Sequence, residues 1–447
     1  MSPSLTTTLL IGFASVSLNA TPTADWTQFR GPLGNGVVHS ASAPSAWSTE
    51  TNMAWQKPLP GAGWSSPLVL GDKVFVTTAV HEGQERPKGF QDGVRAMGNY
   101  REAAKHLKQT EFKLLCLSLG DGSTVWDTTV ETEIPAFGIH PSNTYATESP
   151  ATDGDSVFVF FPAAGSASCL DQSGQIRWTY QSGRHQYGNG FGSGSGLAYH
   201  DGMVFLQCDN DEDSYVVALE ADSGSEVWKA KRQSRTSWST PVIWKTGQRE
   251  ELVVGGSGHL TSYNPKTGSQ NWYLHGIGGS FSSSPAFDEA FLFFGNSGPG
   301  SAGPLGAVAA GASGDLQFTQ GNAEAWVEWS LTGAGPGLAS PLTKDGLLYV
   351  IDGSLLNCYD GTSGKRIYKE RLPGAGRFAA SLWSVGDYLY ALDENGKTFV
   401  IKMGREFEVI QVNDIDDLFW STPSVAGNSM LLRGADRLYC IREADPI

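Results

Sequence analysis

Two segments of this chain concentrate polar side chains that could bind a ligand or transfer protons. HPSNTYATESP contributes His140, Asn143, Tyr145 and Glu148. SGRHQYGNGFGSGSG contributes Arg184, His185, Tyr187 and Asn189. A histidine with a glutamate suits general acid–base work, but no nucleophile and no metal-ligand spacing accompanies the pair. The alternative is that these side chains form hydrogen bonds within their own loops.

A second candidate set consists of aromatic residues that precede a recurring Ser/Thr-Pro phrase, as in GWSSPL, SWSTPV and FWSTPS. We assign these aromatic residues to one repeat position in five units: Trp64, Trp238, Phe281, Phe378 and Trp420. Such a set predicts an aromatic rim for a flat ligand, a sugar or a peptide. Because repeated residues usually serve the repeat itself, packing between the units is the alternative.

Two further features carry charge. CDNDEDS places Asp209, Asp211 and Asp213 at alternate positions, as a calcium loop does, but Ser214 stands where such a loop needs glycine. We therefore expect an acidic hairpin tip and no metal site, with calcium at these aspartates as the alternative. Arg30 in QFRGP could plug or line the floor of a channel, or form a salt bridge at its rim.

A repeat with a period of roughly 44 residues positions these candidates. The residues before proline are Ser66, Ser149, Thr240, Ser284, Ser340 and Thr422, and degenerate copies are assigned to Ser195 and Ala380. Proline suits the first residue of a strand, and the Ser or Thr can bond a local backbone group. A second phrase, a strand and a Gly turn before an aromatic residue, gives Trp126, Trp178, Trp228, Trp272, Trp329 and Tyr368. Four short strand patterns per unit predict an all-β, eight-bladed β-propeller.

The last unit ends before its outer strand, and the run NMAWQKPLPG around Trp55 can supply that strand. The sequence therefore predicts a ring closed by an N-terminal strand, without an open sheet edge. We divide the chain into a signal peptide at residues 1–20, a lead-in at 21–52 and the propeller at 53–447. Residues 80–112 form an insertion in blade 1, in which YREAAKHLKQ is rich in helix formers.

Composition restricts the class of function. The net charge of −15 and the lack of a basic stripe argue against nucleic acid as a partner. The first 24 residues carry no charged side chain and include a short apolar run that ends at Ala20. This pattern predicts export to the periplasm or the extracellular space, although the basic start of a typical signal peptide is missing. We expect no transmembrane segment and a monomer.

The Gly-turn-Trp phrase resembles the repeat of pyrroloquinoline quinone (PQQ) dehydrogenases and of BamB-like propellers. DWTQFRGPLGNG, HPSNTYATESPATDG and VFLQCDNDEDSYVVAL are similar to segments of the BamB-like, PQQ-repeat propellers of the planctomycete-type group, and the likeness covers about residues 25–443. The chain departs from the quinoprotein pattern because no two cysteines are adjacent and no Trp-Asp pairing for calcium and quinone is found. No cysteine precedes Cys116, so the lipoprotein signal of BamB is missing.

These observations predict a non-catalytic, exported binding or scaffold module without a cofactor. Its partners would be envelope proteins, peptides or glycans, held at the mouth of the channel. The alternative is a quinoprotein-like oxidoreductase that binds PQQ with calcium without the usual cysteine pair. A hydrolase or lyase that uses the His and Glu residues of the loops is the third hypothesis.

The cysteines provide a first test of the repeat. One strand slot contains Cys116, Cys169, Cys358 and Cys440. Ala218 and Ser262 fill that slot in other units, and equivalent positions of different blades lie beyond the Cα separation of about 7 Å that a disulfide allows. Denatured, unreduced protein should therefore react with five equivalents of a thiol reagent, Cys208 included. Three equivalents or fewer would show a disulfide and contradict the slot assignment.

Overall fold

The computed structural model describes residues 25–39, 43–95, 107–298, 301–319 and 321–443. These residues form eight sheets, one for each blade of a propeller, so the predicted all-β, eight-bladed fold is confirmed. The described helical pieces are residues 90–95 and the 3₁₀ turn Gly188–Gly190. The expected signal peptide and most of the expected helix at residues 100–109 lie outside the described residues.

The blades are numbered in chain order and their strands are given from the innermost outward. Blades 1 to 4 consist of Leu68–Leu70, Lys73–His81, Thr110–Ser118 and Thr124–Glu133; Ala151–Thr152, Ser156–Phe161, Ser166–Asp171 and Ile176–Gln181; Ala198–His200, Met203–Cys208, Tyr215–Glu220 and Glu226–Lys231; and Val242–Lys245, Glu250–Gly255, Ser257–Tyr263 and Gln270–Ser280. A further strand, Gly314–Gln317, pairs in parallel with the outer strand of blade 4.

Blades 5 to 8 consist of Ala286–Phe287, Phe291–Gly298, Ser301–Ala309 and Val327–Leu331; Leu342–Lys344, Leu347–Asp352, Leu355–Asp360 and Arg366–Arg371; Trp383–Val385, Tyr388–Leu392, Lys397–Lys402 and Glu408–Asp414; and Ser424–Ala426, Ser429–Arg433, Arg437–Arg442 and Met53–Pro58. The strand Met53–Pro58 pairs antiparallel with Arg437–Arg442. The predicted closure of the ring by an N-terminal strand is thus confirmed.

The outer tryptophans join neighbouring blades. The Trp126 indole Nε1 donates to the Gln172 carbonyl of blade 2 at 2.9 Å. Gly174 (φ +87°) lies against the ring, and a Cβ added there would come within 2.9 Å of it. Glycine is therefore required both for the turn and for the contact. The same contact is made by Trp55, Trp178, Trp228 and Trp329. Trp272 differs, because its Nε1 donates to Glu251 in its own blade at 2.6 Å.

The repeated cysteines lie beneath these tryptophans. Cys116 is the cross-strand partner of Trp126, Cys169 of Trp178, and Cys440 of Trp55. All five cysteines are free and buried. Burial raises the pKa of the Cys116 thiol to about 12, so these thiols are protonated and unreactive in the folded protein.

Residues 26–38, here called the floor segment, run across one end of the channel. Trp26 bridges to Val69 of blade 1, and the Thr27 carbonyl accepts from the Thr152 N–H of blade 2 at 2.9 Å. The Gln28 side chain accepts from the Tyr199 N–H of blade 3 at 3.0 Å. Val37–Val38 then pair in parallel with the innermost strand of blade 7. The floor segment therefore covers the channel beside the ends of the innermost strands.

A ring of hydrogen bonds links the blades at the other end of these strands. The Thr240 N–H donates to the Ser284 hydroxyl at 2.9 Å, and the Ser284 N–H donates to the Ser340 hydroxyl at 2.9 Å. The same bond runs from Ser66 to Ser149, from Gly196 to Thr240, from Ser340 to Ser381 and from Ser381 to Thr422. The sequence had suggested that the repeated Ser or Thr bonds a local backbone group. Its hydroxyl instead accepts from a backbone N–H of the neighbouring blade.

The bonding pattern corrects two repeat assignments. The ring residues of blades 3 and 7 are Gly196 and Ser381, each one residue after Ser195 and Ala380. In the other six blades a proline follows the ring residue, but in blades 3 and 7 a leucine stands there. Without that proline, the sequence does not show which residue occupies the ring position. A slip of one residue reverses the face of every side chain nearby, and this affects the candidate site.

Removal of one ring hydroxyl should destabilise the fold. Ser284→Ala leaves the buried Thr240 N–H without an acceptor, which costs about 1–3 kcal/mol of unfolding free energy. Ser66→Ala is the matched control, because Ser66 occupies the same ring position but its hydroxyl has no partner among the described residues. Urea unfolding should show a loss for Ser284→Ala that is clearly larger than that for Ser66→Ala. Equal losses would contradict a stabilising role for the ring.

Candidate functional site

The aromatic residues near the start of the innermost strands fall into two registers. Counted from the ring residue, three tryptophans stand two positions earlier: Trp64, Trp238 and Trp420. Phe281 and Phe378 stand three positions earlier, as Phe419 does in blade 8. The assignment of all five aromatic residues to one repeat position is therefore wrong for the two phenylalanines. Successive residues of an extended chain face opposite sides, so the two sets serve different purposes.

The phenylalanine set packs inside the blades. Phe281 and Phe419 are fully buried and Phe378 nearly so. The Phe378 ring lies 6.3 Å from Phe399, and the Phe419 ring lies 5.8 Å from Tyr439, between ring centroids. Packing within the blades is thus the role of these positions.

The tryptophan set lies at the ring end of the channel, opposite the floor segment, and this end is here called the mouth. Trp64 and Trp420 stack with centroids 6.2 Å apart and an interplanar angle of 22°. Phe90, from the insertion of blade 1, stacks on Trp420 at 6.4 Å and lies 6.5 Å from His140. The mouth is therefore lined from blades 1 and 8 and from the loop that leads into blade 2.

The aromatic chain continues to the third tryptophan. The His140 ring stacks on Phe191 at 5.0 Å, and Phe191 meets Trp238 edge-on at 6.2 Å. Phe90 and Phe191 lie outside the repeat, and the sequence motifs did not indicate them. Their mark in the sequence is that each is an aromatic residue within a non-repeated, glycine-containing segment. Together these rings connect Trp64 to Trp238 across the mouth.

The indole N–H groups of the mouth are not equally satisfied. Trp64 Nε1 donates to the Ser142 carbonyl at 2.9 Å, and Trp238 Nε1 donates to the Gly192 carbonyl at 2.7 Å. Trp420 Nε1 has no partner among the described residues, although it is buried. The rings of Trp238 and Trp420 remain half-buried. A ligand with an acceptor could complete the Trp420 site.

His140 presents a second unpartnered donor. The Ser142 N–H donates to His140 Nδ1 at 3.2 Å, and a backbone N–H can only donate, so Nδ1 is the acceptor. The proton of the neutral ring is therefore on Nε2, which has no partner among the described residues. Burial lowers the pKa of His140, so the ring is neutral at pH 7.

Asn143 and Tyr145 hold the loops together. The Asn143 side-chain amide donates to the carbonyls of Phe191 and Ser193 at 2.6 and 3.0 Å. This ties the loop leading into blade 2 to the loop leading into blade 3. The Tyr145 hydroxyl donates to the Phe137 carbonyl at 3.0 Å. Both contacts are the loop hydrogen bonds that the structural alternative expects.

The polar side chains Arg184, His185 and Tyr187 of the second segment lie apart from the tryptophans in their described contacts. Arg184 forms an exposed salt bridge with Glu133 at 3.1 Å. His185 lies 3.3 Å from the Ser182 carbonyl, and the buried Tyr187 packs on Phe137 at 4.8 Å. Asn189 belongs to the 3₁₀ turn, and its side chain is outside the described part of the structure. This segment contributes the Phe191 ring and the Gly192 carbonyl to the mouth.

Glu148 is an unusual group at this site. It occupies the position before the ring residue, where Ser65 and Ser239 stand in blades 1 and 4. The side chain is 1% exposed and Oε1 has no partner among the described residues. Burial raises its pKa from 4.5 to about 7, against an opposing hydrogen bond from Ser193. Such a carboxyl changes charge near neutral pH.

The three aspartates of CDNDEDS have separate partners. Asp209 forms a buried ion pair with Arg232 at 2.8 Å. Asp211 accepts from the Thr236 hydroxyl at 3.0 Å, and Asp213 lies 3.6 Å from the Lys231 ammonium. Within the described residues no His, Cys, Asp or Glu cluster could hold a metal ion.

Arg30 lies at the floor of the channel. It is 1% exposed and donates to the carbonyls of Asn35 at 2.9 Å and Pro341 at 2.6 Å. Burial lowers the pKa of its guanidinium to about 9. The salt bridge considered as an alternative is not among the ion pairs of the described residues.

Of the helices that the structure describes, none has the length and apolar character needed to cross a membrane.

The fold defines the class of the protein as an eight-bladed β-propeller. A family model described as outer membrane protein assembly factor BamB matches residues 111–275. BamB from Moraxella catarrhalis superimposes with a TM-score of 0.56 and 13% identity, over 87% of this chain and 99% of that one. Quinohemoprotein alcohol dehydrogenase ADHIIG from Pseudomonas putida HK5 gives 0.56 and 11%, over 95% and 82%. The predicted resemblance to BamB-like and quinoprotein propellers is thereby confirmed, and the narrower assignment to the planctomycete-type group stays a prediction.

Curated relatives include methanol dehydrogenases. Subunit 1 of the cytochrome c methanol dehydrogenase of Methylobacterium organophilum is 29% identical over 136 residues, which is 27% of this chain and 22% of the relative. The lanthanide-dependent methanol dehydrogenase of Methylorubrum extorquens is 29% identical over 143 residues, 29% of this chain and 23% of the relative. The chain therefore matches less than a quarter of the length of either enzyme.

Glu148 should make stability depend on pH. Because its pKa in the folded state is raised from 4.5 to about 7, its contribution is fully present below pH 4.5 and is lost as the pH rises through 7. Thermal melting across this range should therefore show a smaller fall for Glu148→Gln than for the native chain. Glu220→Gln, which removes an exposed carboxylate, is the control and should keep the native profile. Parallel profiles for all three proteins would contradict the assignment.

Proposed function

We propose that this chain is a non-catalytic, exported binding module that holds a protein, peptide or glycan ligand at the mouth of its channel. The observation that carries the proposal is the division of the aromatic residues into two registers. The phenylalanine set packs within the blades, whereas Trp238 and Trp420, one register position later, stay half-buried beside the channel. Trp64, in the same register, is 4% exposed and stacks on Trp420. Aromatic side chains that fill no core and border a channel are typical of ligand sites.

The chemistry of the mouth indicates what the ligand must offer. Trp420 Nε1 and His140 Nε2 are donors without acceptors, and the Phe90 ring lies between the two rings. A ligand with a flat apolar face and oxygen acceptors beside it satisfies both requirements. Peptide carbonyls and sugar hydroxyls are such acceptors. The floor segment covers the opposite end of the channel, so the ligand approaches from the mouth.

The likeness to BamB supports this proposal. The matching family description names an outer membrane protein assembly factor. The fold of that group and the apolar N-terminal run favour export and an envelope partner for this chain. The net charge of −15 further favours a partner with basic groups.

A PQQ-binding oxidoreductase is the second candidate, favoured by the local likeness to methanol dehydrogenases. The donor set of this chain fits the cofactor poorly. The cysteines lie in separate blades, each against the core, so the described structure offers no vicinal pair beside the mouth. The three aspartates that could bind calcium are engaged separately, and Asp209 is held by Arg232.

Alanine variants of adjacent residues test the binding proposal. Ligands selected on the native chain from a random peptide library and a glycan array should bind Trp420→Ala at least about tenfold more weakly. Phe419→Ala is the control: it should lose about 3–5 kcal/mol of stability and, where folded, retain affinity. Trp238→Ala should behave as Trp420→Ala does. If the tryptophan variants unfold early and the folded fraction binds normally, the mouth is packing only.

Reconstitution separates the two candidates. The native chain is mixed with PQQ and calcium chloride, and the protein is recovered by gel filtration. The binding module should elute without quinone absorbance. A stoichiometric quinone spectrum that Trp420→Ala abolishes would replace the proposal with the oxidoreductase.

A further inference from the structure

The insertion of blade 1 places a short piece of chain over the mouth. Residues 86–90, Arg-Pro-Lys-Gly-Phe, are here called the bridging segment. His81 and Thr110 are direct cross-strand partners at the base of the insertion, so a tight turn could close this hairpin. The blade does not need the bridging segment for its own sheet, and the position of the segment calls for another explanation.

The aromatic end of the bridging segment fits a socket made by other blades. The Phe90 N–H donates to the Glu394 carboxylate at 3.1 Å. The Phe90 ring stacks on Trp420. The Arg377 guanidinium lies over the Phe90 ring, 4.5 Å from its centroid. Phe90 therefore gains both from stacking on an indole and from cation–π attraction.

The basic end of the segment meets two carboxylates. Arg86 donates to Asp417, and its Nε lies 3.6 Å from Asp436. The Asp417 carboxylate is only 4% exposed and also accepts from the Tyr439 hydroxyl at 2.9 Å. Between the two ends, the Lys88 N–H donates to the Pro141 carbonyl at 2.9 Å.

These contacts are those by which a groove binds an extended peptide. A main-chain N–H meets a carboxylate, another meets a carbonyl, an aromatic side chain fills a socket and a basic side chain pairs with acids. The segment leaves the donors Trp420 Nε1 and His140 Nε2 without acceptors. The surface therefore offers more bonds than its own chain uses.

We propose that this surface is a peptide-binding site which the chain occupies with its own bridging segment. Its partner is a protein or peptide with a basic residue four positions before an aromatic residue, the spacing of Arg86 and Phe90. The inference rests on the proposed function and specifies its ligand. Because a tethered segment acts at an effective concentration in the millimolar range, it reduces the apparent affinity of any partner until it is displaced.

The test uses the full chain with the segment released. The probe is a fluorescein-labelled peptide of residues 84–93, QERPKGFQDG, followed by fluorescence anisotropy. It should bind the double variant Arg86→Ala/Phe90→Ala at least about tenfold more tightly than the native chain. The same peptide with alanine at both positions should bind neither protein. Adding Trp420→Ala to the double variant should abolish binding.

Matched controls keep the result decisive. Glu85→Ala/Gln91→Ala changes two exposed residues of the same insertion and should exclude the probe as the native chain does. If the double variant melts early, Phe90→Leu with Arg86→Gln provides a milder release. A folded, released variant that fails to bind the probe overturns this inference. The ligands selected from the library or the array separate this inference from the proposed function. If their binding still requires Trp420 but they do not compete with the probe, the inference fails and the proposed function stands.

Discussion

The hydrogen bond from the backbone of one blade to the hydroxyl of the next is the contact on which the rest of the structure depends. An N–H at the start of each innermost strand is buried in the wall of the channel and must find an acceptor. Ser or Thr supplies it in the described contacts such as Thr240 to Ser284. This explains why one chain repeats a Ser/Thr-Pro phrase, and it fixes the register of every residue nearby.

The register then places neighbouring residues in different environments. Phe419 packs in a blade, whereas Trp420, the next residue, borders the mouth. The repeat supplies the scaffold, and segments outside the repeat complete the site with Phe90 and Phe191. The candidate function therefore lies where the repeat is broken, although the fold that holds it is built from the repeat.

Polar groups without ordinary partners also gather around the channel. Glu148, His140 and Arg30 are all buried, and each has at least one atom without a partner among the described residues. Burial raises the pKa of Glu148 and lowers the pKa of His140 and of Arg30, and each shift favours the neutral form of the group. The relatives share the propeller, but the fold alone does not assign a function, so the chemistry of these groups is the better guide.

The sequence by itself determined the all-β class, the eight blades, the closing strand and the thiol slot, because each follows from a local pattern or a repeated contact. Only the tertiary structure decided the register of blades 3 and 7, since no proline marks it and a slip of one residue reverses the faces. It also decided that Phe281 and Phe378 pack in the blades. The meeting of Phe90 with Trp420 joins residues far apart in the chain, and no periodicity predicts such a contact.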